Sequence, residues 1–357
     1  MEEVVYLTLQ NGQSFKGKRF GATGEIIGEI VFATAMTGYL ETLTDPSYHG
    51  QIVIQTFPLI GNYGVIPPDF ESLKPSVSAY VVREHCITPS NFRMENDLDS
   101  YLKENNIIGI YGIDTRHLTK IVRESGVMAA KISSKPLQSL EELEAFTIRN
   151  AIQAVTCKEV IVHGKGNAHK IALWDFGSKN NIIEELVQRN CEVYQVPAFY
   201  TAEQILQLNI DGLMLTNGPG DPEENTEIIA NLKKLIGKLP IFGICMGHQL
   251  FALAMGGKTA KMKYGHRGVN QPVKDLKTGR VYISSQNHGY QVLSSSIEKV
   301  GQLRFINAND NTCEGVDYPE YNAFTVQFHP EACSGPKDLA FLFDRFIDMV
   351  VQNKGGR

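Results

Sequence analysis

The stretch Pro240 to Met255, PIFGICMGHQLFALAM, constrains this chain more than any other. Pro240 to Ile244 is a short apolar run of the kind that forms a buried parallel strand. It leads into Cys245, flanked by Gly243 and Gly247, and the residues beyond read as a helix closed by Gly256-Gly257. Glycines on both sides of one reactive residue, between a strand and a helix, describe a nucleophile elbow. The turn is so sharp that Cβ atoms at the flanking positions would clash, and the central side chain projects from the strand's carboxyl end. A thiol there faces the positive end of a helix, which favours the thiolate. The backbone N–H after it is placed to bind an oxyanion. Most intracellular cysteines are small buried hydrophobes; the two glycines and His248 argue against that reading here.

From Lys170 the chain alternates strand and helix. Ile171 to Trp174 opens onto Asp175-Phe176-Gly177-Ser178; Asn180 to Gln188 reads as helix, Glu192 to Val196 as strand, Thr201 to Leu208 as helix and Gly212 to Leu215 as buried strand. Such alternation predicts a doubly wound, mostly parallel sheet, with ligands beyond the carboxyl ends of its strands. Three further features lie where that rule directs attention. Thr216 to Pro222 is a rigid loop with two glycines and two prolines, whose bare N–H groups can approach a ligand. Tyr282 to Tyr290 is polar and broken by Gly289, and reads as a loop between strands. Ala323 to Phe328 alternates as a strand and ends in His329-Pro330-Glu331, where the fixed proline backbone holds a base beside its orienter. Asp338 to Val350 closes the domain as an amphipathic helix with Leu339, Leu342, Phe343, Phe346, Ile347 and Val350 inward. Gly257-Lys258-Thr259 imitates the tail of a phosphate-binding loop, but Ala252 stands where its first glycine belongs. No complete nucleotide-binding motif is present.

The first half is strand-rich. Val4 to Gln10, the turn Asn11-Gly12 and Gln13 to Lys18 form a hairpin signal. Gly28 to Ala33, Gln51 to Thr56 and Val77 to Arg83 read as strands, Asp99 to Asn105 and Thr115 to Ser125 as helices. Met36 to Tyr48 is too dense in hydroxyls and turn formers to read as core, and Ser47, Asp45 and Thr44 read as turn residues. The periodicity weakens after Leu137, predicting domains at 1–150 and 169–357 joined by a linker over 151–168; His163 and His169 fall at that linker without metal-ligating partners. A length of 357 residues suits two domains. The formal charge of -5 gives no electrostatic grip on nucleic acid or an acidic membrane. The acidic start and the lack of any long apolar stretch predict a soluble, cytoplasmic protein. Six cysteines, Cys86, Cys157, Cys191, Cys245, Cys313 and Cys333, show no disulfide or zinc spacing and read as free thiols, with no metal expected.

A thiolate whose proton passes to a histidine held by a carboxylate performs acyl transfer. With Cys245 as nucleophile, His329 as base and Glu331 as its partner, the oxyanion would sit between the Met246 N–H and an N–H of the Gly218 to Gly220 loop. The residues alone thus describe a cysteine amide hydrolase and do not name the amide.

GICMGHQL, NGPGDP and QFHPE resemble the class I (triad) glutamine amidotransferase family, in which these three separated motifs recur in a fixed order. GEIVFATAMTGYLETLTDPSYHGQIV, FPLIGNYG and GIDTRHLT in the first half resemble the N-terminal domain of the small subunits of carbamoyl-phosphate synthetases. Together these motifs span essentially the whole chain. The resemblance implies an N-terminal β/β/α domain followed by a class I glutaminase domain. It implies the triad Cys245, His329 and Glu331, with L-glutamine held by Ser47, Gly218, Gly220, Met246, Gln249, Asn287, Gly289 and Tyr290, Ser47 being the contribution of the first domain. It also implies a large-subunit partner, in a heterodimer or a higher oligomer of heterodimers. That partner would take up ammonia through a tunnel and use ATP, Mg and bicarbonate, none of them a cofactor of this chain, to make carbamoyl phosphate for arginine or pyrimidine synthesis. Met246 and Tyr290 replace a usual Leu and Phe, Cys333-Ser334 a usual Ser-Pro, and Gly265-His266-Arg267 lacks a second histidine. The alternatives are a glutaminase serving another synthase, such as one making GMP or anthranilate, and a regulatory subunit without chemistry.

Overall fold

The computed structural model describes residues 3–332 and 334–355 and divides at Arg149/Asn150 into two compact units. Cys333 and the first two residues of the acidic start lie outside the described residues.

In the first unit seven strands close into a barrel: β1 (Val4–Leu9), β2 (Ser14–Gly21), β3 (Ile26–Ala33), β4 (Gln51–Gln55), β5 (Ala79–Val81), β6 (Ile108–Tyr111) and β7 (Met128–Ser133), in the order β1-β2-β6-β5-β4-β3-β7. The Asn-Gly hairpin forms as the sequence predicts, with β1 and β2 antiparallel and Gly12, at φ 86°, donating its N–H to Leu9 O. Strand alternation supplies two cores. Ile52 and Ile54 of β4 join Val5, Leu7, Ile30 and Ile110 in one, while Val53 joins Phe20, Val31 and Tyr80 in the other. Helix α1 (Thr115–Ser125) has the predicted bounds, because the Asp114 carboxylate caps it by accepting from His117 N and its Leu118 and Val122 are buried.

The segment Met36 to Tyr48 departs from its reading as a solvated turn. Tyr39 to Tyr48 are nearly all buried, in a short helix (Tyr39–Thr44) and a 3-10 turn (Pro46–Tyr48). Two of its hydroxyls are tolerated because they are bonded: Thr44 Oγ1 donates to Leu40 O and accepts from Glu71 N, and Tyr39 OH donates to Gly64 O. Polarity of side chain and exposure part company wherever such local bonds can form.

The second unit holds one ten-stranded sheet: β8 (Ile161–His163), β9 (His169–Asp175), β10 (Cys191–Pro197), β11 (Gly212–Leu215), β12 (Ile241–Ile244), β13 (Thr259–Asp275), β14 (Val281–Val292), β15 (Gln302–Asn307), β16 (Cys313–Tyr318) and β17 (Ala323–Val326), ordered β8-β10-β9-β11-β12-β17-β16-β15-β13-β14. The central five, β10-β9-β11-β12-β17, are parallel. An antiparallel extension, β16-β15-β13-β14, continues from β17. Helices α2 (Asn180–Gln188), α3 (Ala202–Gln207), α4 (Thr226–Leu235), α5 (Met246–Ala254) and α6 (Phe341–Gly355) accompany it. Thr201 and Gln204 form a capping box at α3. On α6, Leu342, Phe343, Phe346 and Val350 are buried as the amphipathic pattern requires.

Two readings change in this unit. Residues 151–168 are built into it: Ala151–Val155 is helical with Ile152 in the core, and β8 pairs with β10, so the weak periodicity marks an edge rather than a tether. Tyr282 to Tyr290 is the body of the long strand β14, its polar side chains Ser284, Gln286, Asn287 and His288 buried. Among the described residues no helix is long and apolar enough to cross a membrane.

Candidate active site

Strand β12 ends at Ile244, and Cys245 comes next at φ 53°, ψ -101° as the N-cap of α5. Every other described non-glycine residue at positive φ is an asparagine, the side chain that tolerates that region best. Holding a cysteine there costs on the order of 1–3 kcal/mol, a strain supported by its surroundings. The glycines have steric reasons. A Cβ at Gly247 would lie 2.5 Å from Leu215 O and 2.6 Å from Leu215 Cβ, and one at Gly243 would lie 3.0 Å from Gly247 and from Thr325 Cγ2. Two backbone bonds fix the turn: Cys245 N donates to Val326 O and Gly247 N to Thr216 O, each at 2.9 Å. Gly247 N–H apart, the first turn of α5 has no side-chain cap for its N–H groups, among them that of Met246 next to Cys245.

His329 reaches the same end of the sheet by register. Ile244 pairs with Val326 across β12 and β17, so Cys245 and His329 leave the carboxyl ends of adjacent parallel strands. The His329 N–H bonds Ser285 O at 2.9 Å, tying it to β14, and two residues along that strand Asn287 O lies 3.7 Å from Cys245 Sγ. His329 Nδ1 and Glu331 Oε1 are 2.7 Å apart. A carboxylate only accepts, so Nδ1 carries a proton, and in the neutral ring the lone pair is on Nε2. Nε2 is buried and, among the described residues, bonded to nothing. Burial alone would raise the Glu331 carboxyl, but the His329 imidazole, and the Lys179 ammonium 3.9 Å away, bring it below the usual carboxylate range.

The Thr216 to Pro222 loop stands over β11, between the elbow and the Asp175 loop. Gly218 is required there, since a Cβ would meet Phe176 O at 2.4 Å, and Gly220 takes φ 86°. Thr216 Oγ1 accepts from Phe176 N, and Asn217 Oδ1 from Lys179 N. Gln249, one turn into α5, donates to Tyr290 O at 2.9 Å and to Gln327 Oε1 at 3.0 Å, joining α5, β14 and the end of β17. Cys245, Gly218, Gly220, Met246, Gln249, Asn287, Gly289, Tyr290, His329 and Glu331 therefore all belong to the second unit, on the loops and strands just described. Ser47 belongs to the first unit, buried in the 3-10 turn with its N–H on Asp45 Oδ1.

His248 plays no part in this arrangement. It is wholly buried, with Nδ1 2.7 Å from Thr325 Oγ1 and Nε2 3.9 Å from Cys313 Sγ, and burial pushes its pKa down to about 3. Its place beside the cysteine in sequence is incidental, because successive residues of a helix face different ways. Sequence reasoning missed Lys179 and Gln327. The signal for Lys179 was its position just after the polar mouth of β9; nothing local marks its ammonium as buried against Glu331.

Residues 7–132 match the family model described as carbamoyl-phosphate synthase small chain, CPSase domain, and residues 172–349 that of glutamine amidotransferase class-I. The carbamoyl phosphate synthase small chain of Clostridium perfringens is 50% identical over 97% of this chain and 99% of its own. That of Fusobacterium nucleatum subsp. nucleatum is 51% identical, over 97% and 98%. A crystal structure described as part of a putative GMP synthase from Thermoplasma acidophilum aligns with TM-score 0.46 and 20% identity, over 52% of this chain and 96% of that one.

Proposed function

The chain belongs to the carbamoyl-phosphate synthase small-chain family, and from that premise we propose how its residues divide the work of hydrolysing glutamine. It is the glutamine-hydrolysing subunit of such a synthase. Cys245 Sγ attacks the carboxamide carbon of glutamine while His329 Nε2 takes the thiol proton. The negative oxygen of the tetrahedral intermediate rests on the Met246 N–H and on an N–H of the Gly218 to Gly220 loop, an interaction worth about 3 kcal/mol of barrier per donor. The imidazolium, steadied by the Glu331 carboxylate, which Lys179 helps keep ionised, returns the proton to the leaving nitrogen. Ammonia departs and a thioester remains. Water, deprotonated by the same nitrogen, then releases glutamate.

Ser47, Gly218, Gly220, Met246, Gln249, Asn287, Gly289 and Tyr290 are the proposed glutamine-binding residues. The ammonia passes to a large subunit, which joins it to bicarbonate with ATP and Mg; transfer away from bulk water keeps it from becoming the unreactive ammonium. We place the complex in the cytoplasm, supplying carbamoyl phosphate for arginine or pyrimidine synthesis. The observation that supports the mechanism best is the buried Nε2 of His329, unbonded among the described residues, its tautomer held by Glu331, just past the strand that neighbours the one leading into Cys245.

The test is Cys245→Ser in complex with the large subunit. Glutamine-dependent carbamoyl phosphate synthesis should fall by about 10³-fold or more, while synthesis from added ammonia persists. Retention of glutamine-dependent turnover, or equal loss of both, would overturn the assignment.

A further inference from the structure

Away from the thiol, the antiparallel extension gathers three ligating side chains that no spacing in the sequence suggests. His266 of β13 and His288 of β14 are direct cross-strand partners, with ring centroids 5.0 Å apart. Glu314 of β16 lies between their nitrogens: its Oε1 is 3.3 Å from His266 Nδ1 and 3.9 Å from His288 Nε2. All three residues are buried, and one donor atom from each lies within 4.8 Å of the others.

The outer nitrogens decide what the inner ones can be. His266 Nε2 lies 2.9 Å from Asp310 Oδ2, and His288 Nδ1 lies 2.8 Å from Tyr290 O. Both partners accept only, so both of those nitrogens carry protons. In a neutral ring the remaining nitrogen is then a lone pair. Two lone pairs and a carboxylate oxygen thus converge in a buried place, where like partial charges repel with little screening; the long contacts of Asn307 Nδ2 to His266 Nδ1 and of Thr312 Oγ1 to Glu314 Oε1, each 3.4 Å, relieve this only in part. The neighbouring oxygen of Gln286, Oε1, is 3.2 Å from His288 Nε2 and adds to the negative character, while Gln286 Nε2 donates to the far oxygen of Glu314. A single proton shared by His266 with Asp310 and Glu314 would satisfy that imidazole. It would leave His288 Nε2 still facing oxygen.

We propose that His266, His288 and Glu314 bind one divalent first-row transition ion, with Zn²⁺ as the representative, through His266 Nδ1, His288 Nε2 and a Glu314 carboxylate oxygen. Two imidazoles and a carboxylate form a donor set that suits such an ion. A tetrahedral site with bonds of about 2.0 Å has donor-to-donor edges of about 3.3 Å. The His266 to Glu314 separation already equals that edge, the His288 to Glu314 separation of 3.9 Å exceeds it by about 0.6 Å, and the two histidine nitrogens, within 4.8 Å of each other, would have to close by up to about 1.5 Å. The outer partners Asp310 and Tyr290 O match the second layer that fixes tautomer and ring orientation in metal sites. The ion would pin β13, β14 and β16 together. His288 stands between Asn287 and Gly289, with its side chain on the opposite face of β14 from that of Asn287. These three are positioning residues for that strand. The metal site stands on the cluster alone and does not rest on the glutaminase reading.

The experiment uses the full-length chain without a histidine tag, stripped with chelator, given Zn²⁺, desalted and analysed for metal. Wild type and Cys245→Ser should each retain about one Zn²⁺ per chain, and Glu314→Gln and His288→Gln roughly a tenth of that or less. Co²⁺ should give visible bands of a low-symmetry N/O site and no thiolate charge-transfer band. Zn²⁺ in large excess over its dissociation constant should raise the melting temperature of the wild type by on the order of 5 °C and leave Glu314→Gln unmoved. No retained metal in the wild type would overturn the proposal and leave the cluster holding a proton. Equal retention by wild type and Glu314→Gln, or a thiolate band, would overturn it too by placing the metal elsewhere. The wild-type measurements decide even if a variant fails to fold.

Discussion

Replacing Gly247 by alanine should disable hydrolysis while leaving every chemical group in place. The added Cβ would sit 2.5 Å from Leu215 O and 2.6 Å from Leu215 Cβ, both held in the buried strand β11. Ordinary contact begins near 3.4 Å, so the start of α5 must back away by about 0.9 Å, or β11 must yield. Overpacking of this kind costs about 1–3 kcal/mol, which in a unit this size lowers the melting temperature by roughly 2–4 °C per kcal/mol. The cost to the reaction is of the same size. Moving the helix start carries the Met246 N–H and Cys245 with it, and a displacement of about 1 Å between reacting groups costs on the order of 100-fold. Gly243→Ala, whose Cβ meets its neighbours at 3.0 Å, should lose less. The assay is glutamate release, run beside ammonia-dependent carbamoyl phosphate synthesis by the complex. Gly247→Ala should lose about 100-fold in kcat/KM for glutamine and keep the ammonia reaction. A Gly247→Ala protein that hydrolyses glutamine within about threefold of wild type would refute the dependence of the elbow's geometry on that glycine.

Two further outcomes concern pH. Because the folded state holds Glu331 below its ordinary pKa of 4.5, the unfolded chain binds more protons as the medium acidifies. Its contribution is present above that value and is lost as pH falls through the folded pKa, at about 1.4 kcal/mol per unit of depression. Glu331→Gln should therefore show a shallower loss of stability below pH 4.5 in urea titrations, and an unchanged slope would count against the pairing. His248 runs from an unfolded 6.5 to about 3 in the fold, so the unfolded chain alone takes up its proton and stability drops as pH falls below 6.5. His248→Gln should flatten the decline between about pH 6.5 and 4 with KM for glutamine unchanged; a rise in KM would restore His248 to the site.

What could be read from the chain, and what could not, depends on the range of the forces involved. The elbow, the Asn-Gly hairpin, α1 and the alternating second half were legible because each depends on residues within a few positions: glycines about Cys245, a cap at Asp114, a two-residue turn. The pairing of His329 with Glu331 was legible for the same reason, since the two stand two residues apart just past a strand end. The closed barrel was not, because closure depends on which distant edges meet. Neither was the burial of Tyr39 to Tyr48, where the hydroxyls of Thr44 and Tyr39 are satisfied by Leu40 O and by partners some twenty-five residues along the chain. His248 misled because adjacency in sequence stood in for orientation. Lys179, 152 positions from Glu331, and the pair His266 and His288, matched only through strand register, leave no local trace.

The strand that carries His329 is laid beside β12 only after the chain has left α5, built β13 through β16 and returned. A nascent polypeptide that has just emerged past Met255 thus holds its thiol in a half-finished sheet, without imidazole or carboxylate. On the proposed mechanism Cys245 gains its proton acceptor only when β17 docks, so glutaminase competence should report the near-completion of this unit during synthesis rather than the appearance of the elbow.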